Sequence, residues 1–252
     1  MLNHTTVLIT GASRGLGAAI ARSAHRHGAR VIVNYWQSQD AAHALVAELG
    51  DRAKAIRADV RSAREVQAMV QQASDWAGAP VTALVNNALL NYRFNGDARH
   101  SLDTMPWEAM QDQIDGALRG SLNTLQACRA GMQAAGGGQV VNIGTNLFQN
   151  PVVPYHDYTA AKGALLALTR TAAKEWGPHG IRVNMVSGGL LRSTDASAAT
   201  PAAVFDLIAA QTPLRRVTTP EEMADAVVLL LSPLARGVTG QNLVVDGGLV
   251  MN

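Results

Sequence analysis

The sequence predicts an α/β fold built on a seven-stranded, doubly wound parallel sheet flanked by helices, and three observations carry that prediction. Short apolar runs bounded by turn residues alternate with longer stretches of helical pattern. Each short run is nearly continuous in apolar residues, as expected of a strand covered on both faces rather than a strand of a sandwich. A glycine-rich turn joins the first run to the first helical stretch.

Taken in order, Thr6 to Ile9 is a first strand, closed by the Thr10-Gly11 turn, and Leu16 to His27 is the helix that returns from it. Arg30 to Val33 and the helix Asp40 to Leu49 repeat the unit, as do Ala53 to Arg57 and Ala63 to Trp76. Val81 to Val85 is the fourth strand; after it comes a long helix, Met105 to Ala134, that stops at the Gly136-Gly137-Gly138 turn. Gln139 to Ile143, the helix Tyr158 to Trp176, Ile181 to Val186, the helix Glu221 to Leu231 and Asn242 to Val245 complete the alternation. Right-handed crossovers then fix most of the topology. Two segments break the rhythm: Leu89 to Asp103, which holds Tyr92, Arg93, Phe94 and Gly96, and Leu190 to Ala203. Both follow strand carboxyl ends, where such sheets bind ligands, so they are read as substrate wall and lid.

At 252 residues the chain suits one large domain over 1–252, and 48% hydrophobic with 16% charged residues is a globular composition. A net charge of +2 with no Lys/Arg run makes nucleic acid and membrane surfaces poor partners. The single Cys128 excludes an intramolecular disulfide and reads as packing, and no Cys/His spacing suits a metal. Without a basic and apolar leader or a spanning apolar stretch, a cytoplasmic, soluble protein is expected.

The chemistry is concentrated in Tyr158-Thr159-Ala160-Ala161-Lys162, where helical spacing stacks a phenol and an ammonium on one face. A cation there is expected to favour phenolate and to bring a hydroxyl of ordinary pKa about 10 toward use near neutral pH. Lysine is otherwise scarce, with only Lys54 and Lys174 besides Lys162, which sets this one apart from general surface charge.

The turn Thr10-Gly11-Ala12-Ser13-Arg14-Gly15-Leu16-Gly17 sits between strand and helix, where glycines allow close backbone approach to a pyrophosphate and the helix N-terminus offers unpaired N–H groups. Gly11, Ser13, Arg14, Gly15, Leu16 and Gly17 are therefore candidate dinucleotide contacts. Such sites, when they prefer NAD, end the second strand with an acidic residue for the ribose 2′-hydroxyl. Here the strand ends Val33-Asn34-Tyr35, and Asn34 together with Arg14 points to NADP(H). Asp59, followed by Val60, is read as an adenine contact, and Asn86-Asn87-Ala88 places polar groups beside the cofactor.

Together these motifs resemble the short-chain dehydrogenase/reductase family over essentially the whole chain: the glycine loop, Asp59-Val60, Asn86-Asn87-Ala88, Tyr158 with Lys162, Val183-Asn184, Thr239-Gly240-Gln241 and Val245-Asp246-Gly247-Gly248. The loop and the terminal segment look most like the 3-oxoacyl-thioester reductase branch, which uses NADPH. The resemblance implies a Rossmann fold and a mechanism in which Tyr158 protonates a carbonyl oxygen while hydride arrives from the nicotinamide. Lys162 lowers the tyrosine pKa and binds ribose, and a hydroxyl steadies the substrate oxygen. It also implies a homotetramer, with the long fourth and fifth helices packed across a two-fold.

Several positions depart from the family pattern. Thr145 stands where the polarising serine is expected, keeping the hydroxyl but adding a methyl. Ala117 replaces the asparagine of a water relay, and Asn123 lies too far along the helix to substitute. Leu89 replaces a glycine, and Gly188 a proline in the loop that packs on nicotinamide; Gly189 beside it completes the expected cofactor contacts. Gly136 to Gly138 and His179-Gly180 lack the basic residues that would steer an acidic acyl carrier protein, which argues against such docking. Tyr155 lacks a cation four residues on, His156 reads as a hydrated loop residue, and Trp107 and Met132 read as packing.

The expected function is NADPH-dependent reduction of a ketone, a 3-oxoacyl thioester or similar small molecule. An alcohol or sugar dehydrogenase is the second reading, and a cofactor-binding scaffold without turnover the third.

Overall fold

A computed structural model describes residues 1–89, 99–192, 194 and 197–251. All seven expected strands are present: β1 (Thr6–Ile9), β2 (Arg30–Tyr35), β3 (Ala53–Arg57), β4 (Ala83–Asn86), β5 (Gly138–Thr145), β6 (Ile181–Gly188) and β7 (Asn242–Val245). They form one parallel sheet in the order β3-β2-β1-β4-β5-β6-β7. The chain winds outward from β1 to β3, returns to β4 and winds the other way. The order therefore reverses beside β1 and β4, and a crevice opens there at the strand carboxyl ends.

Alternation along the strands feeds two cores. Val7, Val31, Val33, Val141 and Val186 face α1 (Gly15–Arg26), α2 (Gln39–Leu49) and α8 (Pro220–Leu231). Leu8, Ile32, Leu84, Val140 and Val183 face the opposite layer, where α3 (Ala63–Ala77), α5 (Gly120–Ala134) and α6 (His156–Trp176) pack. Neighbouring residues of one strand serve opposite layers, which is why the runs carry apolar residues at nearly every position. Helix starts are written locally: Ser62 caps α3, and Thr219 with Glu222 forms a reciprocal capping box ahead of α8.

Three expectations are corrected. The helix read as continuous from Met105 to Ala134 is α4 (Trp107–Gln113), a π-helical stretch at Ile114–Arg119, and α5. The wider stretch is centred on the buried Ala117, the position where the family pattern has asparagine. A further helix, α7 (Ala202–Gln211), follows the segment read as a loop; none of its residues is buried, so it leaves no core-facing stripe in the sequence. Trp107 is 64% exposed rather than packed, whereas Met132 is fully buried. Tyr92, Arg93, Phe94 and Gly96 of the expected substrate wall lie outside the described residues, as do positions 193, 195 and 196 of the expected lid. No helix among the described residues is long and apolar enough to cross a membrane.

Candidate active site

Tyr158 and Lys162 lie in the first turns of α6 and are both buried. The Tyr158 hydroxyl shares a hydrogen bond with the Thr145 side chain, which comes from the last residue of β5. Lys162 Nζ lies 5.8 Å from the Tyr158 ring centroid and donates to the carbonyl oxygen of Ile143 at 2.6 Å. Thr145, Tyr158 and Lys162 are thus brought together at the carboxyl end of β5.

Their electrostatics differ from the expectation. Burial pushes the Tyr158 phenol up to about 12, and the bond to Thr145 opposes this without overcoming it. Burial likewise draws the Lys162 ammonium down to about 8. Lys162 therefore does not make Tyr158 acidic here: the charge is held by a strand carbonyl, and loss of water around the phenol is the larger effect. At neutral pH the tyrosine is a protonated donor. Leu89, Leu147 and Val153 pack against Tyr155 and Tyr158, giving the phenol an apolar wall where a glycine at position 89 would have left space. Beside it a cleft of about 360 Å³ is lined by Pro151 to His156 and Thr159. Tyr155 is buried under the Arg99 guanidinium, 5.2 Å from its ring centroid, and His156 opens α6 rather than sitting in a free loop.

The glycine loop closes on the end of β4. Gly11 has φ +60°, and a Cβ there would lie 2.9 Å from Ala88 Cα. At Gly17 a Cβ would lie 2.4 Å from the Gly11 carbonyl oxygen. Asn87 clamps the turn: its N–H donates to Thr10 Oγ1 at 2.9 Å and its amide to the carbonyls of Thr10 and Gly11 at 2.9 and 3.0 Å. The N–H of Ala88 also donates to Thr10 Oγ1. Asn87 and Ala88 therefore shape the loop. Arg14, the residue before α1, is exposed, no side chain caps the helix, and its first turn holds no acidic residue. Ser13 and Gly15 are half-buried, and Leu16 packs its side chain on the core. That uncapped, acid-free terminus and the glycine cradle suit the pyrophosphate of a dinucleotide.

Two of the expected cofactor contacts, Asn34 and Asp59, also have partners within the protein. Asn34 is buried, accepting from the Gly11 N–H at 3.2 Å and donating to Ala58 O at 3.1 Å, so its amide braces the turn instead of facing a ribose. β2 continues to Tyr35, and Trp36 is the first residue beyond it. Asp59, the residue read as an adenine contact, receives a two-point ion pair from Arg61, at 3.0 and 2.7 Å, which holds its carboxyl below the usual range. Val60 is buried, and its carbonyl accepts from Asn123 at 2.8 Å.

Other contributors were not legible as single residues. Gly189 lies against Asn146 and Asp246, whose side chains are joined at 2.8 Å; Asp246 also accepts from the N–H groups of Gly248 and Val250. This ties the ends of β5, β6 and β7 beside Thr145. Thr194 approaches Gly15 from the loop after β6, its Cβ 3.9 Å from where a Gly15 Cβ would be. Only the chain order of loops after strand ends hinted at that meeting.

Known proteins are similar to this chain over nearly its whole length. A family model described as Enoyl-(Acyl carrier protein) reductase matches residues 11–250. A 3-oxoacyl-(acyl-carrier-protein) reductase of Synechocystis sp. is 35% identical over 257 residues, covering 99% of this chain and 98% of that protein. The L-rhamnose 1-dehydrogenase (NAD(P)(+)) of Sphingomonas sp. is 34% identical, covering 100% of this chain and 98% of that protein. Among solved structures, a dehydrogenase/reductase from Sinorhizobium meliloti 1021 has a TM-score of 0.89 at 29% identity, covering 99% of this chain and 96% of that one.

Proposed function

Because the chain belongs to the short-chain dehydrogenase/reductase family and is thus an oxidoreductase, we propose that it reduces a ketone, specifically a 3-oxoacyl thioester, to the secondary alcohol with NADPH. The observation that carries this reading is the protonated, buried Tyr158 hydrogen-bonded to Thr145, with Lys162 one turn along the same helix. When bound, NADPH supplies the hydride to the carbonyl carbon. Tyr158 gives its proton to the carbonyl oxygen as that oxygen gains charge, and the Thr145 hydroxyl steadies the same oxygen. Leu89, Leu147 and Val153 keep water from the phenol, which supports transfer from Tyr158 rather than from solvent. With Ala117 in place of a relay amide, the Lys162 ammonium is held by Ile143 O, and Tyr158 regains its proton from water that enters the cleft once the alcohol, which had completed the dry wall, has left.

NADPH is favoured over NADH because no carboxylate stands at the end of β2, where Tyr35 and Trp36 follow Asn34, and because Arg14 is exposed beside the glycine loop. Gly11, Gly17 and the first turn of α1 would hold the pyrophosphate. The active form is a homotetramer, a reading supported by the exposed edge of β7.

A second reading, sugar oxidation, is favoured by the likeness to the L-rhamnose dehydrogenase and by the lack of basic residues at Gly136 to Gly138 and His179-Gly180. Comparing kcat/KM for acetoacetyl thioester with NADPH against L-rhamnose with NAD(P)+ separates the two. The first predicts at least a tenfold advantage for the thioester; the reverse order overturns it in favour of the second.

A further inference from the structure

We propose that Arg57, held in place by Trp36, is the residue that distinguishes NADP(H) from NAD(H) by binding the 2′-phosphate; this rests on the NADPH reading above. In doubly wound dinucleotide sites the ribose is read at the end of the second strand, about twenty residues past the glycine loop. Trp36 occupies that position here, immediately after β2. β2 and β3 are paired with Tyr35 opposite Arg57, so the last residue of β3 lies beside the place where an NAD-type carboxylate would stand.

Arg57 is exposed at its backbone position, yet its guanidinium is fixed at two points. Its carbon lies 4.3 Å from the Trp36 ring centroid, and its Nε donates to Trp36 O at 3.1 Å. The aromatic face and the carbonyl set the plane of the fork, which lowers the ordering cost of binding an anion. The two terminal nitrogens, Nη1 and Nη2, have no protein partner among the described residues. Other arginines differ: Arg61 is neutralised by Asp59, Arg22 by Glu48, and Arg52 donates to the carbonyls of His25 and Ala29. Arg57 is left with two parallel donors and an uncompensated charge, a geometry that matches phosphate oxygens. A 2′-hydroxyl offers the fork a single uncharged oxygen, whereas a phosphate offers several charged ones, so the arginine favours the phosphorylated ribose.

The test is calorimetric titration of the full-length protein with adenosine 2′,5′-bisphosphate and with 5′-AMP, neither of which requires turnover. Wild type is expected to bind the bisphosphate at least about tenfold more tightly than AMP. Arg57→Met should remove most of that preference while leaving AMP affinity within about twofold, and Arg57→Lys should restore only part of it. Trp36→Ala should weaken bisphosphate binding through loss of the holder, whereas Trp36→Phe should keep it. Circular dichroism of each variant separates a folding defect from a binding one, and Arg57→Lys, which keeps the charge, serves if Arg57→Met is unstable. A wild type that prefers the bisphosphate and an Arg57→Met that prefers it equally, with Arg14→Met losing the preference, overturns the assignment to Arg57 alone. A wild type that binds both nucleotides equally overturns the NADPH reading and this inference with it.

Discussion

Tyr158 is held in its neutral form by dry surroundings, and Lys162 is charged at a cost. Burial draws the Lys162 amine down to about 8 from 10.5, so the native state binds fewer protons than the unfolded chain between those values. The burial penalty is complete below pH 8 and fades as pH rises through the window. Urea unfolding at pH 7 and pH 10 should therefore shift the stability difference between wild type and Lys162→Met in favour of wild type by roughly 2–3 kcal/mol at the higher pH. A pH-independent difference would mean that the amine is not desolvated. Thr145→Val, which keeps the shape and removes the donor, should lower kcat about 10²-fold with nucleotide affinity unchanged; equal loss of both would make Thr145 a structural residue only.

At this scale the sequence made Tyr158, Lys162 and the glycine loop legible, because spacing along one helix or turn determines their geometry, whereas Thr145 was legible only through the family resemblance. The bracing role of Asn34 is not written in the sequence, because its partners, the Gly11 N–H and the Ala58 carbonyl, come from separate segments. The direction of the Tyr158 shift was also hidden, since spacing specifies a neighbour but not how much water the fold removes.

Among elements, the first turn of α1 is packed most tightly by backbone. A methyl at Gly17 would lie 2.4 Å from the Gly11 carbonyl oxygen and 2.7 Å from Asn87 Nδ2, both parts of the clamp on the turn. Gly17→Ala should lower stability by about 1–3 kcal/mol through overpacking and weaken nucleotide binding, measured by thermal melting and calorimetry. Unchanged melting with unchanged affinity would show that the cradle yields. Strand positions were readable from continuous apolar runs, and β1, β3 and β7 have the expected bounds. Helix interruptions were not: nothing in Ile114 to Arg119 resembles a breaker except Gly116, and the wider turn there arises in tertiary packing, with Ala117 buried between helices. α7 has no signature in the hydrophobic pattern because, lying on the surface, it has no buried stripe, although Pro201 and Pro213 bracket it.

Across the whole molecule, a buried polar chain ties the sheet to its helices below the site. Thr124 donates to Asn86 at 2.6 Å, Asn86 to Asn142 at 2.8 Å, and Asn142 to Thr169 at 2.8 Å, joining α5, β4, β5 and α6. Each member is satisfied, so the chain fixes how α6 lies across β5, and with it how Tyr158 meets Thr145. The far edge carries a different consequence. β7 is an edge strand, and Leu229, Leu234 and Leu243 are exposed on it and its neighbouring segments, an apolar face consistent with the proposed homotetramer. Leu243→Glu should reduce the mass in light scattering from that of four chains to a smaller species; a wild-type monomer would remove the tetramer.

The most direct test of the central claim is Tyr158→Phe, assayed for ketone reduction and, separately, for NADPH binding. Removing one buried hydroxyl should lower kcat about 10²–10⁴-fold while the dissociation constant for NADPH stays within a few-fold. A variant that binds NADPH and reduces the ketone at near the wild-type rate would contradict proton delivery by Tyr158.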